Sequence, residues 1–430
     1  MQSISNPNNL NHVMKKLLIY ITFSSFFLIS CSDDIKNISK IEDDTFKQNV
    51  ISRSNESINA GLAYFDSICE PNRWRELNSF EEMLAVTNLP QDIIDKLTTE
   101  QLAECCVNHP LRIIYLTYDE PELGIKTIIN NFNGFKELKN RHDYAQSVIN
   151  LYTALNNQAR FVHSSINSPR LEWSNKLKRC FWEYVLVSEY FPEVFEQPNV
   201  EKLKSVVSQS IFRENNDTNT PFNFPYKRLS QKLNVNATAK SGGDLIDIRT
   251  IYTELGTPIE ALLLTELTED DIENTNLDAQ ARFPNATMVS PSSYKYNCHY
   301  FAWAMEDNSS DRYWINPYNI RREENLSLYW TGDGYTETNS SDYEKVVYDN
   351  LSHSARKSSE KGKVISKWGN GPVMIHTPGY CPYTASNLKY YKRYEVTGTL
   401  QTSYGIGETT VGKADRYFIS SSVKGTRLTR

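Results

Sequence analysis

Two incompatible periodicities divide this chain. From Ile58 to about Phe212 apolar residues recur at helical spacing, whereas beyond Tyr294 they come in short β-rich runs bounded by turn residues. A uniform bundle or a uniform sandwich is thereby excluded. At 430 residues the chain also exceeds what one core usually serves, so two to three domains are expected. With 26 Tyr, 18 Phe and 7 Trp there is ample material to pack them. The formal net charge of −6, with Lys and Arg dispersed, provides no basic patch for a phosphate backbone, and nucleic acid is not an expected partner.

The helical half carries its own start signals. Ser79-Phe-Glu-Glu82 and Thr98-Thr-Glu-Gln101 read as capping boxes, in which the hydroxyl accepts from the backbone and the Glu or Gln reaches back. Trp173, Leu177, Cys180, Phe181, Tyr184 and Val185 form one stripe of an amphipathic helix and are assigned to the core. Residues 56–215 are therefore expected to be all-helical. Residues 216–243, from Asn216 through Pro221 to Ser241-Gly242-Gly243, lack periodicity and are read as a linker. In residues 244–430 the runs Lys345–Tyr348, Lys363–Ser366 and Val373–Ile375 signal strands, and 16 of the 26 Tyr lie from Tyr294 onward. The fold class expected is α+β, an all-helical amino-terminal domain followed by an α+β domain with an antiparallel sheet.

The amino terminus points to export. Lys15 and Lys16 precede Leu17–Ile29, an apolar run of 13 residues that ends at Ser30-Cys31. Such a run rises about 20 Å as a helix, short of the roughly 30 Å of a bilayer core. Leu28-Ile29-Ser30-Cys31 resembles the lipobox of bacterial lipoproteins. That resemblance implies a signal peptide over residues 1–30 and lipidation of Cys31. The polar stretch 31–55 suits a solvated tether, and Ser32-Asp33-Asp34 resembles the export signal of some outer-membrane lipoproteins, implying an outer-membrane location and surface display.

The segment richest in chemistry is Tyr296-Asn-Cys-His-Tyr-Phe-Ala-Trp303. Asn297 is a good cap, which places Cys298 in a first helical turn, where free backbone N–H groups favour thiolate over thiol. A Cys nucleophile needs a base within hydrogen-bond reach. His299 is set aside, because neighbours on a helix point about 100° apart. His353, just after the strand signal at Lys345–Tyr348, is the expected base. His376 is one choice for the polar group that orients it, with Ser366 and Asn370 as others. There is no Cys-x-x-Cys, and the His residues do not bracket Cys pairs, so neither a metal nor a cofactor is expected. Seven cysteines give no readable disulfide framework.

The order of a helix-borne Cys298, a strand-opening His353 and a following strand Val373-Met-Ile-His376 is similar to that of papain-like cysteine hydrolases of the NlpC and CHAP types. The resemblance covers roughly residues 290–380. It implies hydrolysis of an amide in peptidoglycan or a peptide, with Cys298 attacking, His353 shuttling the proton and His376 holding the ring. The NlpC type usually has Ser-Gly where His299-Tyr300 follow the Cys here, and Lys367 falls near where the CHAP type has its third group. The rival expectation is a non-catalytic surface binding lipoprotein that uses the same fold for recognition.

Overall fold

The computed structural model describes residues 59–165, 169–209, 224–235, 247–305 and 311–393. The signal segment, the tether and Cys31 lie outside the described residues, as does much of the expected linker. Among the described residues eleven α-helices fill the amino-terminal half, at Ala60–Ile68, Pro71–Arg75, Phe80–Val86, Gln91–Ile94, Thr99–Val107, Pro121–Asn131, Asn133–Asn140, Tyr144–Ser165, Pro169–Val187, Asn199–Gln209 and Phe224–Lys232. A 3-10 helix at Arg112–Thr117 precedes the sixth. No described helix is long and apolar enough to cross a membrane.

Local signals account for these starts. The Thr98 hydroxyl accepts from Gln101 N at 3.2 Å while the Gln101 side chain accepts from Thr98 N at 3.0 Å, a complete capping box. The Ser79 hydroxyl accepts from Glu82 N, but the Glu82 carboxylate reaches past it to Asn78 N at 2.6 Å. All six residues of the stripe from Trp173 to Val185 are buried.

The carboxy-terminal half is built on an antiparallel sheet, so the protein is α+β. A hairpin of β1 (Asp247–Tyr252) and β2 (Pro258–Leu263) stands apart. Seven strands form the main sheet: β3 (Thr287–Ser290), β4 (Tyr335–Thr338), β5 (Lys345–Val347), β6 (Ser354–Lys357), β7 (Val364–Lys367), β8 (Val373–His376) and β9 (Lys389–Arg393), in the order β3-β8-β7-β6-β5-β9-β4.

Pairing register decides which side chains meet which layer. Val346 pairs with Ala355, Ser366 with Met374 and Val364 with His376, and the apolar members of this set join the helical core. Val347, Ile365 and Val373, one position out of phase, pack with Tyr300–Trp303. The sheet is thus a middle layer between the helices and the segment that carries Cys298.

Part of the stretch 216–243 is helical. Residues 224–232 are helical, and Tyr226 and Leu229 are buried in the core of the helical half. That core also takes in Ala355, Trp368, Met374 and Tyr383 from the other half. Trp74 Nε1 donates to Arg282 O at 2.7 Å, and Lys176 forms a partly buried ion pair with Asp271 at 2.9 Å. One continuous apolar cluster joins the two halves.

Candidate active site around Cys298

Asn297 caps the helix as its residue type suggests. Its Oδ1 accepts from Tyr300 N and from Ile315 N, both at 3.1 Å. Cys298 and His299 form the first helical positions, and the turn then widens into a π-helix over Tyr300–Ala304, with Met305 N donating to Tyr300 O at 2.9 Å. The insertion falls beside the cysteine, a common place for such a bulge in functional sites.

Cys298 is 1% exposed. Burial, and secondarily the Asp119 carboxylate, push its thiol well above the usual cysteine range, while backbone N–H groups of Ser354 and His299 act on the sulfur in the opposite sense. Ser354 opens β6 and directly follows His353, so the strand end and the helix start meet at the sulfur.

His299 is the side chain whose role was least legible. Its Nε2 lies 3.0 Å from Asp119 Oδ2, and its Nδ1 sits 2.9 Å from the Ser354 hydroxyl, which also accepts from Trp303 Nε1 at 3.0 Å. Asn297 Nδ2 donates to the same Asp119 oxygen at 2.9 Å. The helical half therefore contributes a carboxylate to both neighbours of Cys298. Asp119, Cys298 and His299 together offer three ligand atoms within 4.8 Å of one another, a donor set that suits zinc in kind. Spacing rules miss such a group because Asp119 arrives from a distant loop.

His353 is fully buried, with its ring flat against Tyr383 and edge-on to Tyr348. Among the described residues neither of its ring nitrogens has a hydrogen-bond partner. Burial first, then the nearby His376 and His299, hold its pKa well below the usual histidine value, so it is a neutral imidazole. In this state it makes no hydrogen bond to Cys298.

His376 does not hold the His353 ring. Its Nε2 is engaged by the Ser366 hydroxyl at 2.8 Å and its Nδ1 by Thr377 O at 2.8 Å, which leaves neither nitrogen for His353. Burial lowers its pKa to about 4. Ser366 is committed to His376 and to Trp368 Nε1. Asn370 is fixed through its backbone, with its N donating to Leu116 O at 2.9 Å and its O accepting from Ser293 N at 3.2 Å. None of the three nominated orienting groups bonds His353. Lys367, also buried, donates to Ser293 O at 2.9 Å, Gly369 O at 2.5 Å and Gly371 O at 2.6 Å, fastening the approach to the Cys298 helix onto the β7–β8 turn.

Fold and site define an α+β protein with a buried, helix-capped cysteine set against an antiparallel sheet. Residues 287–391, which contain Cys298, His353 and His376, match the model of a family described as a domain of unknown function, DUF7689. No curated protein and no solved structure matches the chain.

Proposed function

We propose that this is a lipid-anchored cell-envelope protein whose carboxy-terminal half is a papain-like cysteine hydrolase acting on amide bonds of peptidoglycan or peptides. The observation that carries the reading is the 2.9 Å contact between His299 Nδ1 and the Ser354 hydroxyl: it brings the residue next to His353 up to the start of the cysteine helix. The anchor is Cys31 at the end of the lipobox-like segment, and the membrane is the partner it engages.

The reaction this arrangement serves begins when His353 takes the thiol proton and the sulfur attacks the amide carbon. The backbone N–H of Cys298 faces the developing oxyanion. His353 returns the proton to the leaving amine, and a thioester remains on Cys298. Water then adds, His353 again relays the proton, the acid departs and the thiol is restored. Each transfer needs a His353 nitrogen within about 3.2 Å of its partner and aligned with it, an engagement the resting state lacks.

A second reading, a non-catalytic surface binding lipoprotein, is favoured by one observation: thiol and imidazole are both buried and neutral. The two separate in one assay. The protein and its Cys298→Ala variant are incubated with cell-wall fragments and a peptide library, with products read by mass spectrometry. Cleavage that disappears in the variant supports the hydrolase; the absence of cleavage by protein whose Cys298 is accessible rules it out.

A further inference from the structure

Four consecutive residues of the helical half cross over to the cysteine and are gripped one after another. Leu116 O accepts from Asn370 N at 2.9 Å, and Thr117 O accepts from the Tyr383 hydroxyl. Tyr118 donates its hydroxyl to Pro382 O at 2.8 Å. Asp119 receives Asn297 Nδ2 and lies against His299 Nε2. Gly369 is matched to this segment: its φ of +47 suits glycine, and a Cβ there would collide with the Thr117 carbonyl. Tyr383, which anchors Thr117, is the ring on which His353 is stacked.

We propose that Leu116–Asp119 is an intramolecular plug that holds Cys298 and His353 in a closed, latent state, and that withdrawal of this turn is what opens the site. The proposal rests on the reading of Cys298 as a nucleophile and assigns its regulation. Position makes the turn removable. Thr117 ends the 3-10 helix, Pro121 starts the next helix, and the bend between them runs from Asp119, 9% exposed in its side chain, to Glu120 at the surface. Lifting the bend breaks a few hydrogen bonds and the His299–Asp119 contact, and draws only Leu116 and Tyr118 out of the apolar core.

The test is site-resolved alkylation of the full chain with iodoacetamide, quantified for each cysteine by peptide mapping. Cys106 and Cys180, buried in the helical half, report global opening. In the wild type the Cys298 rate is expected to be at least a hundredfold below that of the unfolded chain and insensitive to urea below the unfolding transition, while the Cys106 and Cys180 rates climb with urea. Asp119→Asn removes the charge at constant size, and Tyr383→Phe removes only the hydroxyl on Thr117. Each should raise the Cys298 rate tenfold or more with Cys106 and Cys180 unchanged. Rapid labelling of wild-type Cys298, a Cys298 rate that rises with urea in parallel with the other two, or variants that leave it unchanged would each overturn the plug. The wild-type urea series decides even where a variant fails to fold. Accessible Cys298 in Asp119→Asn without cleavage of any amide sinks the hydrolase reading and leaves the plug standing.

Discussion

The imidazole of His353 lies on the ring of Tyr383 with centroids 3.7 Å apart and planes 11° from parallel, and neither of its nitrogens is hydrogen bonded. Two roles are superimposed there, packing and proton transfer, and substitution can separate them. His353→Ala opens a cavity against Tyr383 and should cost about 2–4 kcal/mol by urea unfolding. His353→Phe keeps a ring on Tyr383 and removes two unpaired polar atoms, so its stability should stay within about 1 kcal/mol of wild type or exceed it. Both should abolish amide cleavage. Retained cleavage in His353→Phe would remove His353 from the chemistry.

Legibility in the sequence followed the range of the interactions. The caps at Thr98 and Asn297 are made with residues three positions on, and the sequence shows them; the Trp173–Val185 stripe reports its own burial for the same reason. Asp119 could not be seen, because it acquires meaning only when the turn after the 3-10 helix docks on Asn297 and His299 from a remote part of the chain. His376 was correctly placed on a strand, but alternation does not say which neighbour a strand residue meets. The β7–β8 register delivers it to Ser366. The polar composition of residues 216–243 concealed a short helix whose buried anchors Tyr226 and Leu229, with Leu233 just beyond its end, are spread among polar residues.

Gly369 ties the same docking to stability. It combines a positive φ with close approach to the Thr117 carbonyl, so Gly369→Ala must either strain the β7–β8 turn or lift the segment that covers Cys298. The expected result is a loss of about 2 kcal/mol or more in urea unfolding, accompanied by faster alkylation of Cys298. Unchanged stability would mean that the turn yields freely and that the close approach constrains nothing.

Lys367 shows how a buried cation can serve architecture. Its ammonium donates to the carbonyls of Ser293, Gly369 and Gly371, and burial lowers its pKa to about 7. Lys367→Met keeps the stem's volume but leaves three buried carbonyls without that donor, each costing about 1–3 kcal/mol if it finds no water. A destabilisation of about 3 kcal/mol or more is expected in denaturant. A neutral result would show that water replaces the ammonium there.

Stability should bend with pH in two directions, and one variant separates them. His376 has its pKa lowered from 6.5 to about 4 by burial, so the unfolded chain takes up that proton more readily; its contribution is complete above pH 6.5 and is lost as pH falls towards 4. Glu183 has the opposite sign. Burial raises its pKa from 4.5 to about 8 against the pull of Arg179, and the Tyr152 hydroxyl donates to it at 2.9 Å. The folded state therefore holds that proton longer, and stability fully present below pH 4.5 is lost as pH rises through 8. Glu183→Gln retains the acceptor for Tyr152 and cannot ionise. Between pH 5 and pH 8 its stability relative to wild type should improve by a few kcal/mol, on the order of what several pKa units imply. Urea unfolding of both proteins at the two pH values measures this directly; a relative stability that stays flat or falls would mean that Glu183 is already ionised in the folded protein and that Arg179 outweighs burial.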